Sequence, residues 1–389
     1  MIYNILAKIL KFFSVSIIEK QRPKIIGITG SVGKTSTKEA IYAVLMKKFP
    51  DNVARSYKNL NTDIGLPLVI LRIDISPQGL QWIYVIVLAF FKYLKYRFLS
   101  SNYPKILVLE YGADKVGDIK YLTEIAKADI SCITEIGPAH IEQFKTIEAI
   151  AKEKIILAQN MKADGIAVLN EDNKYLRSMA KNIHYKKIWF HGSCLDGYKN
   201  AAKKIGEIFK IDEKLIEEAI NEMKPIKGRM NIFKGIKNTV LIDDSYNASP
   251  LSMKLALKYL KNYKLGNRKV AILGDMRELG ELSEEEHKKL GKEIVKNAQF
   301  AILIGPYVSR YTSEVLDSNK FSYIKFPNFS SAKEEILENI KNNDIVLIKA
   351  SQNTLFLERV TEILLANKKD SEYLCRQEKK WLKIKAKTL

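Results

Sequence analysis

Cysteine is scarce in this chain. Cys132, Cys194 and Cys375 are odd in number and far apart, which excludes a disulfide framework and a zinc site and fits a reducing cytosol. Long apolar runs are missing as well. The run Trp82–Phe91 is too short to span a bilayer unaided. No small-residue cleavage site follows the apolar Met1–Ile18 stretch, so it does not read as a clean signal peptide. Acidic residues are outnumbered: 44 Asp and Glu stand against 64 Lys and Arg, for a net charge of +20. That balance suits nucleic acid, anionic lipid or anionic substrates such as nucleotides. The lysines are scattered, with no arginine-rich stripe or aromatic RNA motif, which argues against nucleic acid. A general compositional bias toward lysine is the plain alternative. Repeats and low-complexity tracts are absent, and a monomer is expected.

What is present is enough for two domains. At 389 residues and 47% hydrophobic, the chain can bury a sizeable core. Short apolar runs alternate with helical stretches at Ile25–Ile28, Ile106–Glu110, Ile130–Thr134 and Gly165–Leu169. The alternation restarts at Val240–Asp243, Val270–Leu273, Ala301–Ile304 and Ile345–Ile348. This predicts an α/β fold: a central domain with a mostly parallel sheet, then a Rossmann-like C-terminal domain. Ala201–Met223 reads as two helices, and Lys224–Arg229 as a hinge. The expected boundaries are an N-terminal amphipathic helix at 1–24 and a central domain at 25–227 with an apolar insertion at about 79–100. A C-terminal domain at 228–365 and a basic tail at 366–389, read as a surface helix, complete the chain.

The most informative segment runs from Lys24 to Thr37. A buried strand leads into Thr29-Gly30-Ser31-Val32-Gly33-Lys34-Thr35-Ser36, which opens a helix. Gly30 and Gly33 let the backbone N–H groups turn inward onto phosphate. Lys34 brings a point charge to the β/γ-phosphates, and Thr35 a hydroxyl to Mg²⁺. The common phosphate loop has its first glycine at position 28, where this chain has Ile28. The shorter form, Thr-Gly-x-x-Gly-Lys-Thr, resembles that of ATP-dependent amide ligases of the Mur and folylpolyglutamate synthase type.

Further segments follow in order: Asn59–Pro67, Leu109–Ala113, Ile136–His140, Ile150–Lys154, Val168–Asp172, Gly228-Arg229, Asp243–Pro250 and Leu273–Gly280. The series, over roughly residues 25–365, resembles the Mur ligase family. Within it the segments are most similar to the members that add D-alanyl-D-alanine to a UDP-muramoyl tripeptide. The resemblance implies a cell-wall peptide ligase that turns a carboxylate into an acyl phosphate with ATP, then lets an amine displace phosphate. Such chemistry needs phosphate charge neutralised, the reacting ends aligned and water excluded. Lys34 and the loop amides would neutralise charge. Thr35 and Glu110 would hold one Mg²⁺. His140 would hold a second, with Lys154 as a carbamylated ligand or a direct phosphate contact. Asn200 matches an asparagine near adenine. Arg229, Asp244, Tyr246 and Asn247 match the second domain's contribution to ATP. The plain alternative for Tyr246 and Asn247 is a strand-to-helix turn capped by Asn247.

Several positions depart from the family pattern. Glu135 stands where asparagine is usual, and Lys349–Asn353 lacks the arginine of a Lys-Gly-Ser-Arg segment. The central domain reads as shortened between His191 and Asn200. Only about 24 residues precede the first strand of the resemblance, so a UDP-binding domain is not expected. The acceptor should then depend weakly on UDP. The apolar stretches 1–18 and 82–99, the latter with Lys92, Lys95 and Arg97, suit the interface of an anionic membrane. Their bland reading is a helix pair packed internally. The expectation is a cytoplasmic enzyme, peripheral at the inner face of the membrane, with an anionic nucleotide- or lipid-linked peptide as substrate. Two rivals are a ligase of the folylpolyglutamate type acting on another carboxylate, and a non-catalytic nucleotide-binding scaffold. Retention of Lys34, Thr35, Glu110, His140, Lys154 and Arg229 together argues against the scaffold.

Overall fold

In the computed structural model the chain is described except at positions 1, 58–59, 76, 78, 80, 100–101, 193–195, 265–267, 353 and 388–389. Asn59, Cys194 and Asn353 therefore lie outside the described residues. The chain divides into two compact units: residues 1–137 with 143–223, and residues 138–142 with 224–389.

The first unit is built on a six-stranded sheet, all parallel: β1 (Lys24–Thr29), β2 (Val53–Arg55), β3 (Ile106–Glu110), β4 (Ile130–Ile133), β5 (Ile166–Asn170) and β6 (Lys186–Phe190). Their spatial order is β2-β3-β1-β4-β5-β6. Strands covered on both faces need continuous apolar runs, and β3 and β4 are buried at every position. The chain leaves β1 toward β2 on one side and later crosses to β4 on the other. The carboxyl end of β1 is thus a topological switch point, where open α/β sheets hold ligands. The helix that follows, Lys34–Lys48, buries Ala40, Ile41, Val44 and Leu45 in one cluster with Ala201, Ala202 and Ile205 of the helix Gly197–Ile208.

Two further helices of this unit, Ile2–Gln21 and Gln81–Phe98, pack on each other. Phe13 stacks on Tyr93 with ring centres 4.5 Å apart, and Arg97 Nε donates to Ser16 Oγ at 2.9 Å. Both helices still leave large apolar side chains in solvent, among them Phe12, Ile83, Phe90 and Phe91. Among the described residues no helix is long and apolar enough to cross a membrane.

The second unit also carries six strands: β7 (Asn231–Lys234), β8 (Val240–Asp243), β9 (Lys269–Gly274), β10 (Phe300–Ile304), β11 (Tyr323–Phe326) and β12 (Ile345–Lys349). Their order is β11-β10-β9-β12-β8-β7, parallel except for β7 against β8. Val270, Ile272, Ile302, Val346, Ile348 and Leu364 lie at its core. The basic tail departs from the sequence expectation only in part. The expected surface helix forms at Lys379–Lys387, but Lys385 on it and Leu374–Arg376 before it are buried, and Arg376 and Lys385 both face the buried carboxylate of Glu358.

Candidate nucleotide and ligase site

The turn after β1 is held by the neighbouring strand end. Ser31 N–H donates to the Glu135 carbonyl at 2.6 Å, and Val32 pairs with Glu135 as an isolated antiparallel bridge. Ser31 Oγ donates to the Gly137 carbonyl at 2.8 Å, and Thr134 Oγ1 to the Val32 carbonyl at 2.6 Å. Gly30 has φ of 152°, and a Cβ there would lie 2.0 Å from Thr134 Oγ1. Only glycine fits. Gly33 caps the following helix, in which Lys34, Thr35 and Ser36 form the first turn. Their N–H groups belong to the helix end that favours anions. Lys34 Nζ donates back to the Gly30 carbonyl at 2.7 Å.

The metal-site candidates of this unit gather beside the turn. Register pairing sets Ile28 of β1 beside Glu110, the last residue of β3. Thr35 Oγ1 donates to Glu110 Oε2 at 3.3 Å, and Asn61 Nδ2 to Glu110 Oε1 at 3.1 Å. Buried Lys38 places Nζ 3.7 Å from Glu110 Oε2. Lys38 and Asn61 had not been singled out as site residues. The signal for Lys38 was its position one helical turn after Lys34. A hydroxyl and a carboxylate are hard oxygen donors that fit Mg²⁺, which takes few protein ligands and completes its shell with water and phosphate. Among the described residues no group of three or more His, Cys, Asp or Glu could hold a metal by itself.

Lys154 projects from the helix Ile147–Gln159 and is 2% exposed. Burial, and then the charge of Lys34, drive its amine down to about 7. Around neutral pH this nitrogen is therefore neutral far more often than that of an ordinary lysine, which is almost wholly charged there.

A small recess beside the turn is lined by Gly33, Glu135, Asn170, Phe190 and Tyr198. Asn200 is not among its lining residues, and its amide donates to the His191 carbonyl at 2.7 Å. Glu135 accepts from Asn170 and Asn173, while partial burial raises its carboxyl. The aromatic pair Phe190 and Tyr198 had no sequence signal beyond its position at a strand end and a helix start.

In the second unit β8 ends at Asp243 and leads into the Asp244–Asn247 turn. Lys349, at the end of β12, is buried and donates to Asp244 Oδ2 at 2.5 Å and to the Asn247 carbonyl at 2.8 Å. The Arg229 guanidinium sits 4.5 Å from the Tyr246 ring centre. Asn247 does not cap the next helix. Its Oδ1 accepts from Ala248 and Gln352 N–H, and Ser249 with Ser252 forms the capping box. The Lys349 amine is thus committed to this turn. His140, at φ of 53°, belongs with this unit. Its Nδ1 lies 2.7 Å from Glu278 Oε2, and this hydrogen bond lowers the Glu278 carboxyl.

Comparison with known proteins accords with this arrangement of sheet, turn and charge. The Mur ligase middle domain matches residues 28–77 and 93–232, and the Mur ligase glutamate ligase domain matches residues 228–352. The chain belongs to the Mur ligase family. Within it, the chain is 31% identical to the UDP-N-acetylmuramoyl-tripeptide–D-alanyl-D-alanine ligase of Borreliella burgdorferi, over 92% of this chain and 78% of that one. It is 25% identical to the enzyme of the same name from Bacillus subtilis, over 88% and 76%. Among solved structures, MurF ligase from Thermotoga maritima in complex with ADP aligns with a TM-score of 0.74 at 25% identity, over 95% of this chain and 84% of that one.

Proposed function

We propose that this chain is an ATP- and Mg²⁺-dependent ligase that joins D-alanyl-D-alanine to a muramoyl peptide precursor. The observation that carries the reading is the convergence of Lys34, Thr35 and Glu110 on a glycine turn at the switch point of a Mur-type sheet. A carboxylate oxygen of the precursor attacks the γ-phosphorus, ADP leaves, and an acyl phosphate remains. The dipeptide amine then attacks the carbonyl carbon. The tetrahedral intermediate expels phosphate, and the nitrogen gives up a proton. Lys34 and the helix-end amides of Lys34–Ser36 stabilise the transferring charge. Thr35 and Glu110 would hold Mg²⁺, which neutralises phosphate charge when bound. His140 and Lys154 are assigned to a second ion. Lys154 serves there as a carbamate, formed when its neutral amine adds to CO₂ and releases a proton. Asn200, Arg229, Asp244, Tyr246 and Asn247 are assigned to the nucleotide on the strength of the family motif.

The test is ADP release from ATP with D-alanyl-D-alanine and a muramoyl tripeptide in free, UDP-linked and lipid-linked form. Dipeptide-dependent ADP with any of them is expected. Silence with all three overturns the reading.

The apolar faces of the helices Ile2–Gln21 and Gln81–Phe98 are assigned to the inner surface of an anionic membrane. Ile83 and Phe91 are each more than 60% exposed, and Lys92, Lys95 and Arg97 follow on the same helix. Exposed aromatics beside cations match acyl chains beside anionic headgroups. The chain should float with vesicles containing phosphatidylglycerol at low salt. Binding that survives replacement of Ile83 and Phe90 by Ser rules the interface out.

A further inference from the structure

The segment after residue 352 lies outside both family matches, yet it carries a buried charge cluster. Glu358 has no exposed side-chain surface. Its Oε2 meets Arg376 Nη1 at 3.0 Å, and its Oε1 lies 3.7 Å from Lys385 Nζ. Burying three charges costs desolvation that their mutual attraction does not reliably recover, so such a cluster is weak ground for stability. Its other contacts show what it can do.

Arg376 Nη2 donates to the Tyr246 carbonyl at 2.6 Å, and Nη1 reaches the Ser245 carbonyl at 3.5 Å. Its guanidinium lies 5.1 Å from the Tyr246 ring centre, the same ring that Arg229 approaches. The neighbouring Cys375 Sγ sits 3.6 Å from Ser245 Oγ. Gly228, at φ of 69°, accepts from Tyr246 N–H, and a Cβ on it would come within 3.0 Å of both Cys375 Sγ and Tyr246 Cβ. Arg376 itself adopts φ of 55°, a conformation non-glycine residues seldom take. Backbone held in so sparse a region is maintained by its surroundings, and such positions cluster at functional sites.

We propose that Arg376 is a positioning residue for the candidate nucleotide turn: anchored on Glu358, it fixes the Ser245 and Tyr246 carbonyls and so orients Tyr246 and Asn247 before nucleotide arrives. This rests on the nucleotide reading given above. A planar fork can serve a carboxylate and a carbonyl together, whereas a lysine ammonium is a compact point charge. Arg376→Lys therefore keeps a cation for Glu358 and gives up the fork. Lys385→Met serves as the control, since Lys385 Nζ faces the same carboxylate.

The experiment measures hydrogen exchange across residues 244–248 and ADP affinity by calorimetry, on the full chain and both variants, with thermal melting alongside. In Arg376→Lys, exchange at 245–247 should rise at least tenfold while β8 and β12 stay protected, and ADP affinity should fall roughly tenfold, as for loss of a charged hydrogen bond. Lys385→Met should leave both within twofold. Unchanged exchange at 245–247 in Arg376→Lys overturns the proposal. Equal effects of the two substitutions overturn it as well, as does failure of both Arg376→Lys and Arg376→Gln to fold, since the residue is then purely structural. If the parent chain binds no ADP, the nucleotide reading fails, and the exchange result still decides whether Arg376 sets the turn.

Discussion

The glycine turn of the first unit and the Asp244–Asn247 turn of the second are held by opposite means. The first is held by short, uncharged contacts to its backbone: a bridge to Glu135, carbonyls accepting from the Ser31 and Thr134 hydroxyls, and a glycine that nothing larger could replace. The second is held by long cationic side chains from distant parts of the chain, Lys349 and Arg376. A turn fixed by uncharged contacts to its backbone can lose its lysine and keep its shape. A turn fixed by buried charge cannot.

Lys34→Ala is the sharpest way to draw that contrast. It should lower ATP turnover a hundredfold or more, as for loss of a donor aimed at developing charge, with the melting temperature nearly unchanged. Near-parent turnover by the folded variant would remove Lys34 from the chemistry. Lys349→Met should do the reverse to the fold. It strands the buried Asp244 carboxylate, at a cost of about 3 kcal/mol, and denaturant unfolding would read this directly. A melting curve like the parent's would mean that the second turn is not held by its charges.

Lys154 gives a pH signature. Its folded value, about 7, lies below the unfolded 10.5, so between those limits the unfolded chain binds the extra proton. Its contribution to stability therefore rises with pH from about 7 to 10.5 and is flat below. Lys154→Met should abolish that slope in unfolding measured at pH 7 and 9. Ligation by the parent should also respond to added bicarbonate, and short carboxylates should partly rescue Lys154→Ala. A flat response to both would leave the carbamate without support. Smallest of all should be Gly228→Ala, which forces a Cβ against Cys375 and Tyr246 at a left-handed position. A cost of about 1–3 kcal/mol is expected, and an unchanged melting temperature would show that the turn yields locally.

How legible the molecule was follows from burial. The eight strands read from apolar runs, β1, β3, β4, β5, β8, β9, β10 and β12, are all interior strands. The four left unread, β2, β6, β7 and β11, are the sheet edges. There one side faces solvent and polar residues interrupt the run, as in Lys186-Lys187 of β6. The same logic holds for the site. Lys34, Thr35 and Glu110 announce themselves because each closes or opens an element in a fixed local pattern. Arg376 sits in a lysine-rich tail that looks solvated, and its carboxylate partner is 18 residues away. Lys349 closes an apolar strand, but the residue it holds lies 105 positions earlier. No local pattern encodes such pairings.

That sequence distance has a consequence for how the protein is made. Tyr246 and Arg376 are 130 residues apart. At ribosomal speeds of about 5–20 residues per second, roughly ten seconds separate the synthesis of the turn from that of its brace. The glycine turn of the first unit needs nothing beyond Gly137 for the hydrogen bonds described above. A nascent chain can therefore form its glycine turn early, while the second turn must wait until Arg376 has been synthesised.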